Sequence, residues 1–266
     1  MFYIPSVYFH KVMVEKLPFY FASDREIFFN KVDQDLLDYW NQKNIRYDFN
    51  EHQFRTSHDF SKLKDGEFIL VTGCSHTVGI GIDYDSMYTT ILEKELGIPV
   101  VNIAIMSSDI NVVLRNLAVW MKNFAKPKKI IIQIPEPSRF SYMFDPFEIN
   151  TVVTSSGDPK DDFKLVETLG MRYYSTYEAG FNQLDFLQCI VSSYGIDTFY
   201  FSIGDMSEYR HLEFRQPIHY WLDVQERKTT VYKIRNPKMK LRARDGGHGG
   251  DLVNKIWADA VLEKLK

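Results

Sequence analysis

From residue 67 onward the chain switches repeatedly between two hydrophobic registers. Short, nearly continuous apolar runs are separated by stretches whose apolar side chains recur every three or four positions. The first run, residues 67–72 (Glu-Phe-Ile-Leu-Val-Thr), reads as a buried strand. Residues 86–96 then place Met87, Ile91, Leu92 and Leu96 at helical spacing, and Gly97 offers the left-handed cap that ends a helix. Residues 98–103 predict a second strand. Residues 109–124 predict a second helix, with Pro127 beyond its end. Residues 129–134 (Lys-Ile-Ile-Ile-Gln-Ile) form a β-branched run suited to a strand covered on both faces. A third helix is predicted over 177–194 despite Gly180, and a fourth strand over 198–203. A closing helix over 249–266 carries Leu252, Ile256, Ala260 and Leu265. Strand and helix in alternation predict the α/β class, a doubly wound, mainly parallel sheet of about five strands with helices on both faces.

Three regions break the alternation. Residues 1–64 contain aromatic clusters (Phe19-Tyr20-Phe21, Ile27-Phe28-Phe29) and one plausible helix over 32–43. They read as an N-terminal extension packing on a main domain of residues 65–266, with the polar stretch 50–64 running over the surface. Residues 135–175, with Pro135, Pro137, Pro146 and Pro159, read as an irregular insertion. Between 205 and 244 the pattern is weak, and 218–224 and 229–234 suit extra strands or a lid.

Composition removes several function classes. At 266 residues the chain fits one large domain, and its net charge of −3, without a run of like charges, does not favour nucleic acid. Two cysteines, Cys74 and Cys189, make no disulfide framework, and no Cys/His spacing suits a metal; His211 and His219 have no partners at such spacing. No apolar run approaches the roughly 20 residues that span a bilayer. Residues 1–17 are interrupted by His10, Lys11, Glu15 and Lys16 and lack the form of a signal peptide. The expected setting is a cytoplasm, or a particle assembled in one, with no membrane partner. The first loop has neither the Gly-x-Gly-x-x-Gly pattern nor a phosphate-loop lysine, which argues against a nucleotide-binding domain. Nothing in the sequence sets an oligomeric state.

Chemistry concentrates at two loops. The first strand ends in Gly73-Cys74-Ser75-His76-Thr77-Val78-Gly79, which puts a serine on a tight turn at the carboxyl end of a buried strand. Just before the last helix stands Asp245-Gly246-Gly247-His248. A serine hydroxyl needs a base to take its proton, a group to orient that base, and donors for the oxyanion. Ser75, His248 and Asp245 can fill the first three roles. Two residues between carboxylate and imidazole let one loop supply both. The expectation is an Asp245–His248 hydrogen bond, with the other ring nitrogen at hydrogen-bond distance from Ser75. His76 reads as a packing or substrate-facing neighbour, Cys74 as a buried thiol, and Arg242 and Arg244 as surface charges, with the binding of an acidic substrate as their alternative role.

From about residue 50 to its end the chain resembles the SGNH (GDSL-type) hydrolases. Their first block, Gly-Asp-Ser-x-x-x-Gly, is matched by Gly73-Cys74-Ser75-His76-Thr77-Val78-Gly79, and their last block, Asp-x-x-His, by Asp245 and His248. Asn102-Ile103-Ala104-Ile105-Met106-Ser107 is similar to the second block, and Asn50 to Thr56, with Phe54-Arg55, to a lead-in carried by some members. The resemblance implies a flavodoxin-like three-layer α/β/α sandwich and cofactor-free hydrolysis of an ester, such as an O-acetyl group on a carbohydrate. It implies catalysis by Ser75, His248 and Asp245, with an oxyanion hole from the N–H groups of Ser75 and Ser107. Three departures stand out: Cys74 replaces the aspartate, Ser107 replaces the oxyanion-hole glycine, and Pro137 falls where the third block supplies an asparagine donor. Asn111, Ser138 and Arg139 are possible replacements for that donor. The competing expectation is a weak or inactive SGNH-like domain that binds a ligand or builds an assembly.

Overall fold

The computed structural model describes residues 34–43, 45–137, 139–145, 148–152, 173–203, 218–220, 242–245 and 247–265. The expected features at 19–21, 27–29, 229–234, His211 and Ser138 lie outside them. Five parallel strands make the main sheet in the order β2-β1-β3-β6-β7: β1 Ile69–Thr72, β2 Val100–Asn102, β3 Lys129–Ile134, β6 Asp197–Ser202 and β7 Ile218–Tyr220. β4 (Phe140–Asp145) and β5 (Glu148–Val152) form a separate antiparallel pair. The helices are α1 Gln34–Asn41, the short α2 Ser75–Val78, α3 Tyr88–Leu96, α4 Ile110–Asn123, α5 Tyr173–Ser193 and α6 Asp251–Leu265.

Side-chain alternation along the strands explains the three layers. Leu70, Ile130, Ile132, Ile134 and Tyr200 point to one face and pack with Val113, Leu117 and Trp120 of α4 and with Leu184, Leu187 and Val191 of α5. Ile69, Val71, Ile131, Phe199 and Phe201 point the other way, onto Tyr88 and Leu92 of α3 and Val253, Trp257 and Val261 of α6. The sheet is thus buried on both faces, as its apolar runs require. The fold is a three-layer α/β/α sandwich.

Local chemistry sets the element ends. Asp109 Oδ1 accepts from Val112 N (2.8 Å) and caps α4, while Gly97 ends α3 at φ 66°. Gly180 does not break α5, because it serves close packing: a Cβ there would stand 2.0 Å from Pro137 O. Where an irregular insertion was expected, the chain builds β4 and β5. Within 218–224, residues Ile218–Tyr220 join the main sheet.

The stretch 50–64 differs from its expected surface course. Phe54, Arg55, Thr56 and Phe60 are buried, and Phe54 and Phe60 belong to the α4-side core. Upstream, Trp40 and Tyr47 are also buried, in a third apolar cluster with Val78, Ile80, Ile82 and Ala243. That cluster lies against the chain segments that carry Ser75 and Asp245. Among the described residues, no helix is long and apolar enough to cross a membrane. Cys74 and Cys189 are free thiols, the first buried and the second exposed.

Candidate active site

Ser75 is the first residue of α2, immediately after β1, and is only 6% exposed. β1 lies between β2 and β3, and the chain passes from one side of it to the other after β2. Ligands of open α/β sheets bind in the crevice at such a switch point. The turn has little freedom. Gln133 Oε1, projecting from β3, accepts from Cys74 N (2.9 Å) and Thr77 Oγ1 (3.3 Å). Asn102 at the end of β2 donates its Nδ2 to Thr77 O (2.8 Å). Gly73 is required for space, since a Cβ would come within 2.6 Å of Thr77 Oγ1 and 2.7 Å of Gln133 Oε1.

Arg55 pins the other end of α2. Its guanidinium donates to Val78 O (3.3 Å), to Gly79 O, to Ile82 O (2.8 Å) and to Arg46 O (3.0 Å). It lies 4.4 Å from the centroid of the Tyr47 ring, whose hydroxyl accepts from Gly81 N (2.7 Å). One buried cation thus satisfies carbonyls on both sides of the turn that follows Ser75. Five donors in a rigid fork make this possible.

The loop before α6 is built around Asp245. Its Oδ2 meets His248 Nδ1 at 2.5 Å, while its Oδ1 accepts from Gly247 N (3.0 Å) and His248 N (3.1 Å). The carboxylate side chain is 1% exposed and the imidazole 16% exposed. Burial pushes the carboxyl pKa up, but the bonds from His248 and the backbone outweigh it and hold the pKa at about 2. Asp245 is therefore an anion at neutral pH, and its bond to Nδ1 leaves Nε2 of His248 to meet the site.

Backbone and ring contacts bring the two loops together. Arg244 N donates to Gly81 O (2.9 Å), and the His76 and His248 rings lie 4.9 Å apart. His248 therefore stands beside the residue that follows Ser75. Among the described residues, no hydrogen bond joins Ser75 to His248. His76 also meets Trp257 edge-on at 5.8 Å. Burial, with His248 and Arg139 nearby, lowers the His76 pKa to about 3 against the opposing pull of Asp245, and its Nδ1 is buried without a partner. Arg242 is exposed, whereas Arg244, expected as a surface charge, is buried because its segment packs under Gly81.

Ser107 adopts φ 56°, the left-handed conformation that favours glycine. Its flanking segment is tied to the Ser75 turn, since Gly73 O accepts from Ile105 N (3.3 Å) and Ser108 Oγ (2.8 Å). Asn111 sits in the first turn of α4, and among the described residues no hydrogen bond ties it to Ser75 or His248. Arg139 follows β3, half-buried, with its Nε buried and unpartnered. Among the described residues, no group of three or more His, Cys, Asp or Glu could hold a metal ion. Gln133 is a positioning residue that sequence reasoning passed over, and Arg55 entered it only as part of the lead-in, without a role. Gln133 left a trace as the polar residue inside an isoleucine run.

No protein-family model matches the chain, and no curated protein matches it. Among solved structures it is similar to a carbohydrate esterase family 2 enzyme with a carbohydrate-binding domain from Corynascus thermopiles (Myceliophthora fergusii). Identity is 12%, TM-score 0.32, and the overlap covers 76% of this chain and 68% of that one. A likeness of that degree assigns no activity to this chain.

Proposed function

We propose that this chain is a serine hydrolase of the SGNH type that cleaves an ester, with an O-acetyl group on a carbohydrate as its substrate class. One observation carries the reading: a part-buried, hydrogen-bonded Asp245–His248 pair beside the turn that bears Ser75. Fold alone would not support an activity.

In this reading Ser75 Oγ attacks the ester carbonyl and its proton passes to His248 Nε2. Asp245 holds the ring in the tautomer that leaves Nε2 open and stabilises the imidazolium that forms. The N–H groups of Ser75 and Ser107 take the oxyanion. The alcohol leaves with the proton from His248, and water releases the acyl group by the same route in reverse. Rotation of the Ser75 side chain, or a small closure of the 245–250 loop on substrate, forms the Ser75–His248 bond, which apo sites commonly hold long.

The missing Ser75–His248 bond and Pro137 favour one alternative, an SGNH-like binding or structural module. Labelling with a serine-directed fluorophosphonate separates the two. An enzyme labels at Ser75 and loses the label in Ser75→Ala and His248→Ala. A folded protein that takes no label and cleaves no acetyl ester is not a hydrolase.

A further inference from the structure

α1 belongs to neither loop of the proposed site, yet it reaches both. Its pattern buries Leu36, Leu37 and Trp40 and leaves Tyr39 half-buried beside them. The segment 242–251, which carries Asp245 and His248, is zipped across its base. Arg242 and Gly249 pair as an antiparallel bridge, and Ala243 N donates to His248 O (3.0 Å). Side chains of α1 and of Lys43, just past its end, hold both stems of that segment. On the first stem, Trp40 Nε1 donates to Arg242 O (2.9 Å). On the second, Asp251 Oδ2 accepts from Tyr39 OH (2.5 Å) and from Lys43 Nζ (3.2 Å). The Lys43 ammonium lies 5.3 Å from the Tyr39 ring centroid and 5.7 Å from that of Trp40, a cation–π contact that holds the charge beside the helix.

The same helix reaches the Ser75 side. Leu36 and Trp40 share one buried cluster with Val78, Ile80 and Ile82, which follow Ser75, and with Ala243, which precedes Asp245. Lys43 Nζ stands 3.9 Å from Asp83 Oδ2 as well as 3.2 Å from Asp251 Oδ2. One cation therefore links a carboxylate beyond the Ser75 turn to a carboxylate beyond His248.

We propose that α1 is a clamp that sets the spacing between Ser75 and His248, with Tyr39, Trp40 and Lys43 as positioning residues for the reaction. The inference rests on the hydrolase reading above. Asp245 fixes the imidazole within its own loop, and α1 fixes where that loop stands. Proton transfer from Ser75 Oγ to His248 Nε2 needs the two atoms within about 3 Å. A misplacement of about 1 Å, caused far from the reacting atoms, can cost about 10²-fold in rate. None of the three side chains gives or takes a proton in the reaction.

The test compares wild type with Tyr39→Phe, Lys43→Met, the double variant, Lys43→Arg and Lys94→Met. Lys94→Met removes an exposed ion pair with Asp85 and is the control. Hydrolysis of p-nitrophenyl acetate is measured against pH below the onset of melting, and thermal melts check the fold. In parallel, NMR records the through-space contact between the His76 and His248 rings, which lie 4.9 Å apart. The double variant should lose about 10–10²-fold in kcat, with KM changed by less than about threefold. The ring contact should weaken with it. The midpoint of the His248 titration should stay in place, because the groups facing that ring, Asp245 and His76, are unaltered. Lys43→Arg should recover most of what Lys43→Met loses, and Lys94→Met should match wild type. A folded double variant that keeps wild-type kcat and ring contact overturns the proposal. So does an equal loss in Lys94→Met, or a loss accompanied by a shifted His248 midpoint, which would place the damage in the Asp245–His248 pair. Should the double variant fail to fold, the two single variants decide by the same readings. An inactive wild type overturns the hydrolase reading, and the ring contact alone then decides whether α1 sets the spacing. An active wild type whose double variant is equally active overturns this inference alone.

Discussion

The turn that carries Ser75 is fixed from outside itself, whereas the loop that carries His248 is fixed largely from within. Gln133 from β3, Asn102 from β2, Ser108 beyond β2 and Arg55 from the lead-in all bond the backbone between Gly73 and Ile82. Around His248 the organising group is Asp245, which bonds residues two and three positions away. Outside support there comes at the margins. Arg244 N meets Gly81 O, and Asn254 Nδ2 bonds Gly249 O (3.0 Å) and Gly250 O (3.1 Å) while its Oδ1 accepts from Tyr88 N (3.1 Å). Tyr39 of α1 and Lys43 just beyond it reach Asp251 in the first turn of α6. The position of Ser75, the proposed nucleophile, is set by several distant elements and so is tied to global stability. The position of His248, the proposed base, within its loop is set by one local carboxylate and can be altered while the fold stays intact. Substitutions in the two regions should therefore separate activity from stability.

The largest expected effect is on catalysis. Ser75→Ala and His248→Ala should each lower hydrolysis of a small ester by at least about 10⁴-fold, with the double variant little worse, because such groups act as a unit. Thermal melts should stay near wild type. Multiplicative losses in the double variant would break the idea of one coupled site.

Arg55→Ala tests the externally fixed region. It leaves several buried carbonyls without a donor, each costing about 1–3 kcal/mol, so urea unfolding should report a loss of about 3 kcal/mol or more. A loss below about 1 kcal/mol would mean that the Ser75 turn does not depend on the lead-in.

Asp245→Asn tests the internally fixed region through pH. The folded carboxyl pKa is depressed from 3.8 to about 2, so the pair adds stability that is fully present above about pH 4 and is lost as pH falls toward 2. The contribution is on the order of 2 kcal/mol. Urea melts of wild type between pH 6 and pH 2.5 should fall by more than those of the variant, whose amide does not titrate. Parallel slopes would remove the depressed carboxyl from the account. At neutral pH the same variant should lose about 10³–10⁴-fold in kcat through the wrong imidazole tautomer.

The smallest effect is expected at Gly180→Ala. Alanine gains about 1 kcal/mol of helix propensity over glycine, but its Cβ would meet Pro137 O at 2.0 Å. Overpacking against main chain costs about 1–3 kcal/mol, which leaves a net loss of about 1 kcal/mol in a thermal melt. A stabilised variant would show that the turn bearing Arg139 can move away from α5 without cost.

The sequence by itself determined the alternating strands and helices, because burial on both faces of a parallel sheet writes continuous apolar runs and burial on one side of a helix writes a 3.6-residue period. It also brought forward Ser75, Asp245 and His248, and Asp245 bonds His248 because three residues of chain suffice to close that contact. Tertiary structure alone decided what is non-local. Residues 50–64 look polar in sequence, yet Arg55 is buried because the carbonyls of Val78, Gly79 and Ile82, more than twenty residues away, converge on it with that of Arg46. Gly180 reads as a helix breaker, yet it is where the Pro137 turn docks. Arg244 reads as a surface charge, yet its segment packs beneath Gly81. In each case the deciding partner lies tens of residues away or more, and hydrophobic periodicity records which face of an element is covered, not which polar group will meet it there.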